Sequence, residues 1–129
     1  MRILIYGLSG SGKSTLANQL APRLSFPVLN GDVIRAEAND WDFSYAGRAL
    51  QMRRVHKIAA NLDNVIIDLV CPKQEFRDFL EPDITIFMDT IVECQYEDTN
   101  KMFEIGTPTL IIKNWYYDIE EILNDIQNL

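Results

Sequence analysis

A three-layer α/β fold, with a mostly parallel five-stranded sheet flanked by helices, is the architecture this sequence predicts. Three observations predict it. Short runs rich in Ile, Leu and Val alternate with helical patterns along the chain. Those runs are apolar at successive positions, as in parallel strands covered on both faces. The first run leads straight into Gly7-Leu-Ser-Gly-Ser-Gly12-Lys13-Ser14, which satisfies G-x-x-x-x-G-K-[ST] in the strand-to-helix setting of a phosphate-binding loop. The expected architecture is therefore the P-loop nucleoside-triphosphatase fold.

Each element follows from its residues. RILIYG (2–7) has the composition of a buried strand, and STLANQLAPRL (14–24) that of a helix stopped near Pro22. PVLNGD (27–32) reads as the second strand. FSYAGRALQMRRVHKIAANL (43–62) is a long helix with Ser44 as N-cap. NVIIDLV (64–70) is a third strand and PKQEFRDFL (72–80) a short helix. DITIFMD (83–89) is a fourth strand, followed by a polar helical segment over 91–103. TLIIK (109–113) is a fifth strand, and DIEEILNDIQNL (118–129) closes as an amphipathic helix. Without a repeat or flexible linker, residues 1–129 are expected to form a single domain.

Composition narrows the function classes. Hydrophobic residues make up 47% of the chain, enough for an ordinary core. A net charge of −7 argues against general binding to nucleic acid or to anionic membranes. No run has the eighteen or so apolar residues of a membrane span, and Ile3–Leu8 is too short for a signal peptide. Cys71 and Cys94 lack CxxC spacing and are expected to be structural thiols of a cytoplasmic protein. The charge is uneven: residues 1–77 hold ten Lys/Arg against seven Asp/Glu, net +3, and residues 78–129 hold two against twelve, net −10. Seven of the twelve basic residues fall between Arg35 and Arg77, the window in which a small anionic ligand is expected.

The phosphate loop defines the first candidate site. Its glycines allow close backbone approach, and successive N–H groups then face an anion at a helix N-terminus. Gly7, Ser9, Gly10, Ser11, Gly12, Lys13, Ser14 and Thr15 are the expected ATP-binding residues. Lys13 would bridge the β- and γ-phosphates, and the Ser14 hydroxyl would ligate Mg²⁺.

The second candidate site faces the first. Asp32 closes the second predicted strand, at the carboxyl edge where ligands of parallel sheets collect. There it can take a proton from an attacking hydroxyl or hold a metal; as an alternative, it caps the next helix. On the long helix, at about 100° per residue, Met52, Val55, Ile58, Ala59 and Leu62 fall within about 80° of Arg48, with Gln51 among them. Arg53, Arg54 and Lys57 look outward. An arginine on an apolar face needs an anion, either an internal Asp or Glu or a ligand. Arg35 brings a second guanidinium to the same end, and Phe43 either stacks on a planar base or staples the helix start.

GLSGSGKSTLA, NGDVIR and NDWDFSYAGRALQMRR together resemble the adenylylsulfate kinase (APS kinase) family, from about residue 3 to residue 80 and more weakly through FMDTIVEC (87–94). The family pattern runs GLSGxGKST, DGDxxR, a loop Asn, Phe-Ser, an Arg, an Asn three residues on, and Arg-Arg. The resemblance implies that Arg35, Asn39, Phe43, Arg48 and Gln51 bind a nucleotide-like acceptor. It also implies that Asp32 orients or deprotonates the acceptor's 3′-hydroxyl, with Lys13 as the second catalytic residue, and that the chain can form a homodimer.

Several positions depart from that pattern. Gln51 replaces an Asn, Asn30 replaces the first Asp of DGD, and the loop between Arg35 and Phe43 is one residue short. Cys71-Pro72-Lys73 stands where Ser-Pro and an aromatic are usual, while Arg77 matches a family arginine. Glu97 falls where an arginine is expected. The family's basic, glycine-containing lid is missing, and after Lys101-Met-Phe-Glu the chain passes directly to the fifth strand. Asp68, near the end of the third strand, stands where the family has a small residue; it holds Mg²⁺ or a hydroxyl, or is structural. Lys73 could restore some of the lid's positive charge, and lone His56 is expected to be structural.

The expected activity is ATP-dependent, Mg²⁺-assisted phosphoryl transfer to an alcohol group, with the adenylylsulfate 3′-hydroxyl as first choice. Two alternatives remain at this point. One is a kinase for another nucleotide, a modified nucleoside or a small hydroxyl compound. The other is a non-catalytic nucleotide-binding regulator.

Overall fold

A computed structural model describes all of residues 1–129. The chain runs β1 (Arg2–Tyr6), α1 (Lys13–Leu24), β2 (Val28–Asn30), α2 (Gly31–Ala38), α3 (Tyr45–Ala59), β3 (Val65–Asp68), α4 (Gln74–Leu80), β4 (Ile84–Met88), α5 (Glu97–Met102), β5 (Leu110–Ile112) and α6 (Ile119–Gln127). The five strands form one sheet in the order β2-β3-β1-β4-β5. Every pairing is parallel, so the sheet is wholly rather than mostly parallel.

Alternation along the strands divides the core into two layers. Leu4, Tyr6, Val65 and Ile67 face α3 and α4, where they meet Val55, Ala59, Phe76 and Leu80. Ile3, Ile5, Ile66, Ile84 and Ile86 face α1 and α6, against Leu16, Leu20, Ile122 and Ile126. Apolar residues on both pleat directions are what removed a clean polar alternation from the strand sequences. Burying a side chain of this size stabilises the fold by about 1.5–3 kcal/mol.

Three local expectations are corrected. The second strand ends at Asn30, and Gly31-Asp32 already belongs to α2, a helix that strand-like PVLNGD obscured. Helix α1 ends at Leu24, two residues past Pro22, as the 14–24 range predicts. The polar stretch 91–103 yields only six helical residues, Glu97–Met102. On α3, Ile58 is exposed and Arg54 turns back to Asp40 at 2.5 Å, so the apolar stripe is narrower than its wheel. Ser44 caps α3 as expected, accepting from Gly47 N at 3.2 Å. His56 packs on Phe79, with ring centroids 5.0 Å apart.

Where a lid was found wanting, residues 103–106 are tied down. Arg77 is 1% exposed, and its guanidinium donates to the carbonyls of Cys71, Pro72, Glu104 and Ile105. Tyr6 Oη donates to Ile105 O at 2.5 Å, and Phe103 packs on the stacked Tyr6 and Phe87 rings. Lys73 reaches Glu104 at 3.9 Å and does not line the main cavity, so it restores no charge there.

Candidate active site

The carboxyl ends of the strands open onto one cavity of about 860 Å³. At its first end lies the loop after β1. Gly10 and Gly12 have φ of 84° and 96°, the left-handed region that strains other residues. Gly12 precedes α1 and no side chain caps that helix, which leaves its first N–H groups free to face an anion. Ser9, Gly10, Gly12, Lys13, Ser14 and Thr15 line the cavity. Gly7 and Ser11 sit behind its wall: Ser11 is fully buried, and its carbonyl accepts from Thr90 Oγ1 at 2.7 Å.

Lys13 is buried, with Nζ donating to Leu8 O at 3.0 Å. Burial lowers its proton affinity, while the nearby Asp68, Asp32 and Cys94 raise it. A desolvated ammonium facing free helix N–H groups is a socket for phosphate oxygens.

Asp68 ends β3 beneath this loop. Its Oδ2 accepts from Ser14 Oγ at 2.6 Å and from Asn30 Nδ2 at 2.9 Å. Ser14, Asp68 and Asp32 all line the cavity and offer only oxygen donors, the set that suits a hard cation such as Mg²⁺. No group of three or more His, Cys, Asp or Glu forms a metal cage.

The second end is built by α2, α3 and the loop between them. Asp32 is the second residue of α2, exposed and on the cavity wall, so it neither closes a strand nor caps the helix; Asn30 is the cap. Arg35, on the next turn, is 5% exposed and anchored to the carbonyls of Asp40 and Asp42 at 3.0 and 3.1 Å. Burial lowers its proton affinity, Asp40 opposes that, and Arg48 adds to it. The Phe43 ring has both guanidiniums near it, its centroid 4.3 Å from Arg35 and 5.5 Å from Arg48. It therefore lines the cavity rather than stapling α3.

Arg48 answers the question left open by its place on an apolar face. Nε donates to Phe43 O at 2.9 Å, and an outer nitrogen lies 3.3 Å from Thr99 Oγ1 and 3.4 Å from Asp98 Oδ2. An internal carboxylate is thus present. Asp98 is 63% exposed and its contact is longer than the 2.7–2.9 Å typical of charge-assisted bonds, so Arg48 keeps cationic reach into the cavity. Gln51 is buried; its Nε2 donates to Gly31 O at 3.0 Å, and it reaches the wall from behind α2.

Asn39 departs from the group. It ends α2 with a left-handed φ of 49°, is exposed, and lies outside the cavity wall. Among the cavity residues that went unnoticed in the sequence are Trp41, Tyr96, Asp98, Thr99 and Trp115. Trp115 follows β5, whose carboxyl end opens on the same edge, so strand polarity alone could have flagged it. A Cβ on Gly12 would lie 3.0 Å from its ring. Asp98 gave no comparable signal, because its approach to Arg48 depends on where the irregular stretch before α5 runs.

Comparison with known proteins bears on the family and the fold. Residues 1–111 match the family model for adenylylsulphate kinase. An adenylyl-sulfate kinase of Picosynechococcus sp. is 28% identical over 113 residues, covering 76% of this chain; the chain spans only 64% of that relative's length. Among solved structures, the APS kinase of Mycobacterium tuberculosis in complex with AMPPNP and APS superposes with a TM-score of 0.78 at 22% identity, covering 98% of this chain and 96% of that one. Shikimate kinase from Aquifex aeolicus reaches the same TM-score at 18% identity over 99% and 97%, so the shared fold does not by itself choose an acceptor. With residues 1–111 matched, the chain belongs to the adenylylsulphate kinase family.

Proposed function

We propose that this chain transfers the γ-phosphate of ATP to a hydroxyl of a nucleotide-like acceptor, the 3′-hydroxyl of adenylylsulfate being first choice. The observation that carries this reading is that Asp32, Arg35 and Arg48 line the same cavity as Lys13 and Ser14. Phosphoryl transfer asks mainly for positioning and charge stabilisation, and both are available here. The loop N–H groups and Lys13 hold the triphosphate. Arg35 and Arg48 hold the acceptor's anionic group, with its planar base against Phe43. Asp32, exposed on the cavity wall, accepts the hydroxyl proton as the acceptor oxygen bonds to the γ-phosphorus and the bond from that phosphorus to the β,γ-bridging oxygen breaks, releasing ADP. Ser14 and Asp68, with Asp32 beside them, would hold Mg²⁺, which when bound neutralises phosphate charge. The family match supports kinase chemistry, and the acceptor rests on the cationic end of the cavity.

One observation favours a different acceptor within the same chemistry. Asp98 opposes anions at Arg48 and could instead accept from a neutral polyol or nucleoside hydroxyl. Incubation with labelled ATP, Mg²⁺ and a panel of acceptors separates the readings. Label in a 3′-phosphorylated sulfur nucleotide supports the first choice; label only in a neutral alcohol supports the second.

A further inference from the structure

Asn30 is the one polar side chain that touches both halves of the site, and none of the proposed steps uses it. It is the last residue of β2, in register with Asp68 at the end of β3. Its two amide atoms point to different elements. Oδ1 accepts from Val33 N at 3.1 Å and so caps α2, the helix that carries Asp32 and Arg35. Nδ2 donates to Asp68 Oδ2 at 2.9 Å and lies 3.5 Å from Ser14 Oγ. The orientation of the amide is fixed by its neighbours, since an N–H can only donate and an ionised carboxylate can only accept.

We infer that Asn30 is a positioning residue that locks the acceptor helix to the phosphate loop through Asp68, and that an amide is required because Asp68 already supplies the charge there. The inference rests on the reading of the cavity as a two-substrate site. A single side chain sets the start of α2 against the carboxylate that holds Ser14, so the spacing between Asp32 and the phosphate socket follows from two hydrogen bonds. Capping alone does not require Asn, because Asp caps a helix equally well. The bond to Asp68 does require it: an Asp at position 30 offers no donor and sets two carboxylates against each other at hydrogen-bond distance.

Reciprocal exchange tests this. Asn30→Asp, Asp68→Asn and the double variant are compared with the unmodified chain. Titration with AMPPNP, with and without Mg²⁺, and thermal unfolding of the free protein are the readouts. Each single variant should weaken AMPPNP binding by about tenfold or more and lower the unfolding temperature. The double variant, with one amide again facing one carboxylate, should regain most of both losses. If the single variants do not fold and the double variant does, the pairing is likewise supported. Wild-type behaviour of Asn30→Asp would reduce Asn30 to a helix cap, and losses that simply add in the double variant would overturn the link. Neither readout involves an acceptor, so failure of the adenylylsulfate assignment is distinguishable from failure of this one.

Discussion

Asp98 Oδ2 stands 3.4 Å from an outer nitrogen of Arg48, at the end of the cavity that holds the most cationic charge. Arg48 is almost wholly buried there and Asp98 mostly exposed. The partnership is therefore unequal, and an anion entering the cavity can take Asp98's place.

Replacing Asp98 by Ala should change stability by less than about 1 kcal/mol, as for other solvent-screened ion pairs. It should leave affinity for an anionic acceptor unchanged or a few-fold tighter. Arg48→Ala should weaken that affinity by about 10- to 100-fold. Calorimetric titration of the two variants checks both statements. An equal loss in Asp98→Ala would mean that the carboxylate orders the site instead of competing for it.

Lys13→Met separates folding from binding. Burial disfavours the charged form of this lysine in the free protein, with Asp68 and Asp32 opposing, so its removal should cost little stability. The unfolding temperature should hold or rise, while AMPPNP affinity falls by about 100-fold or more. A clear drop in unfolding temperature would contradict the account of Lys13 as a socket waiting for phosphate.

Arg77 is a brace. Arg77→Met keeps much of its length but strips donors from the carbonyls of Cys71, Pro72, Glu104 and Ile105. A loss of about 3 kcal/mol in urea unfolding is expected, since the Cys71 and Glu104 carbonyls lose their donor at once, while Pro72 O keeps Glu104 N and Ile105 O keeps Tyr6 Oη. A loss under about 1 kcal/mol would show that residues 103–106 hold their place without it.

Cys71 makes stability depend on alkaline pH. Burial pushes its thiol up to about 12, from an ordinary value of 9.0. The folded state therefore keeps this proton while the unfolded chain gives it up. The contribution is full below about pH 9 and is lost as pH rises toward 12. At pH 10 the loss should amount to about 1 kcal/mol relative to pH 7. Urea unfolding at both pH values should show Cys71→Ala losing less than the unmodified chain by that amount. An equal loss in both would place the alkaline sensitivity elsewhere.

The fold was legible because its two strongest signals are local. Apolar runs of strand length and the sequence around Lys13 each fix their own element, and together they fix the sheet's polarity. Arg48 and Gln51 were legible from helical spacing, and Ser44 from its place before α3. Asp32 was given the right edge of the sheet but the wrong element, because Asn30 stops the strand and no periodicity marks an eight-residue helix. The partners of Asp68 lie 54 and 38 residues away, and such pairings leave no trace in local pattern. Asn39 was carried over by resemblance alone, and the left-handed turn at the end of α2 directs it away from the cavity wall.

The central claim is that Asp32 faces a triphosphate held at Lys13 with an acceptor alcohol between them. A single-turnover assay with γ-labelled ATP, Mg²⁺ and adenylylsulfate tests it most directly, run on the unmodified chain and on Asp32→Ala. The account predicts label transferred to the 3′-hydroxyl, with the rate down about 10²- to 10⁴-fold in the variant while AMPPNP still binds. Full transfer by Asp32→Ala, or tight AMPPNP binding by a chain that phosphorylates no alcohol, would contradict it.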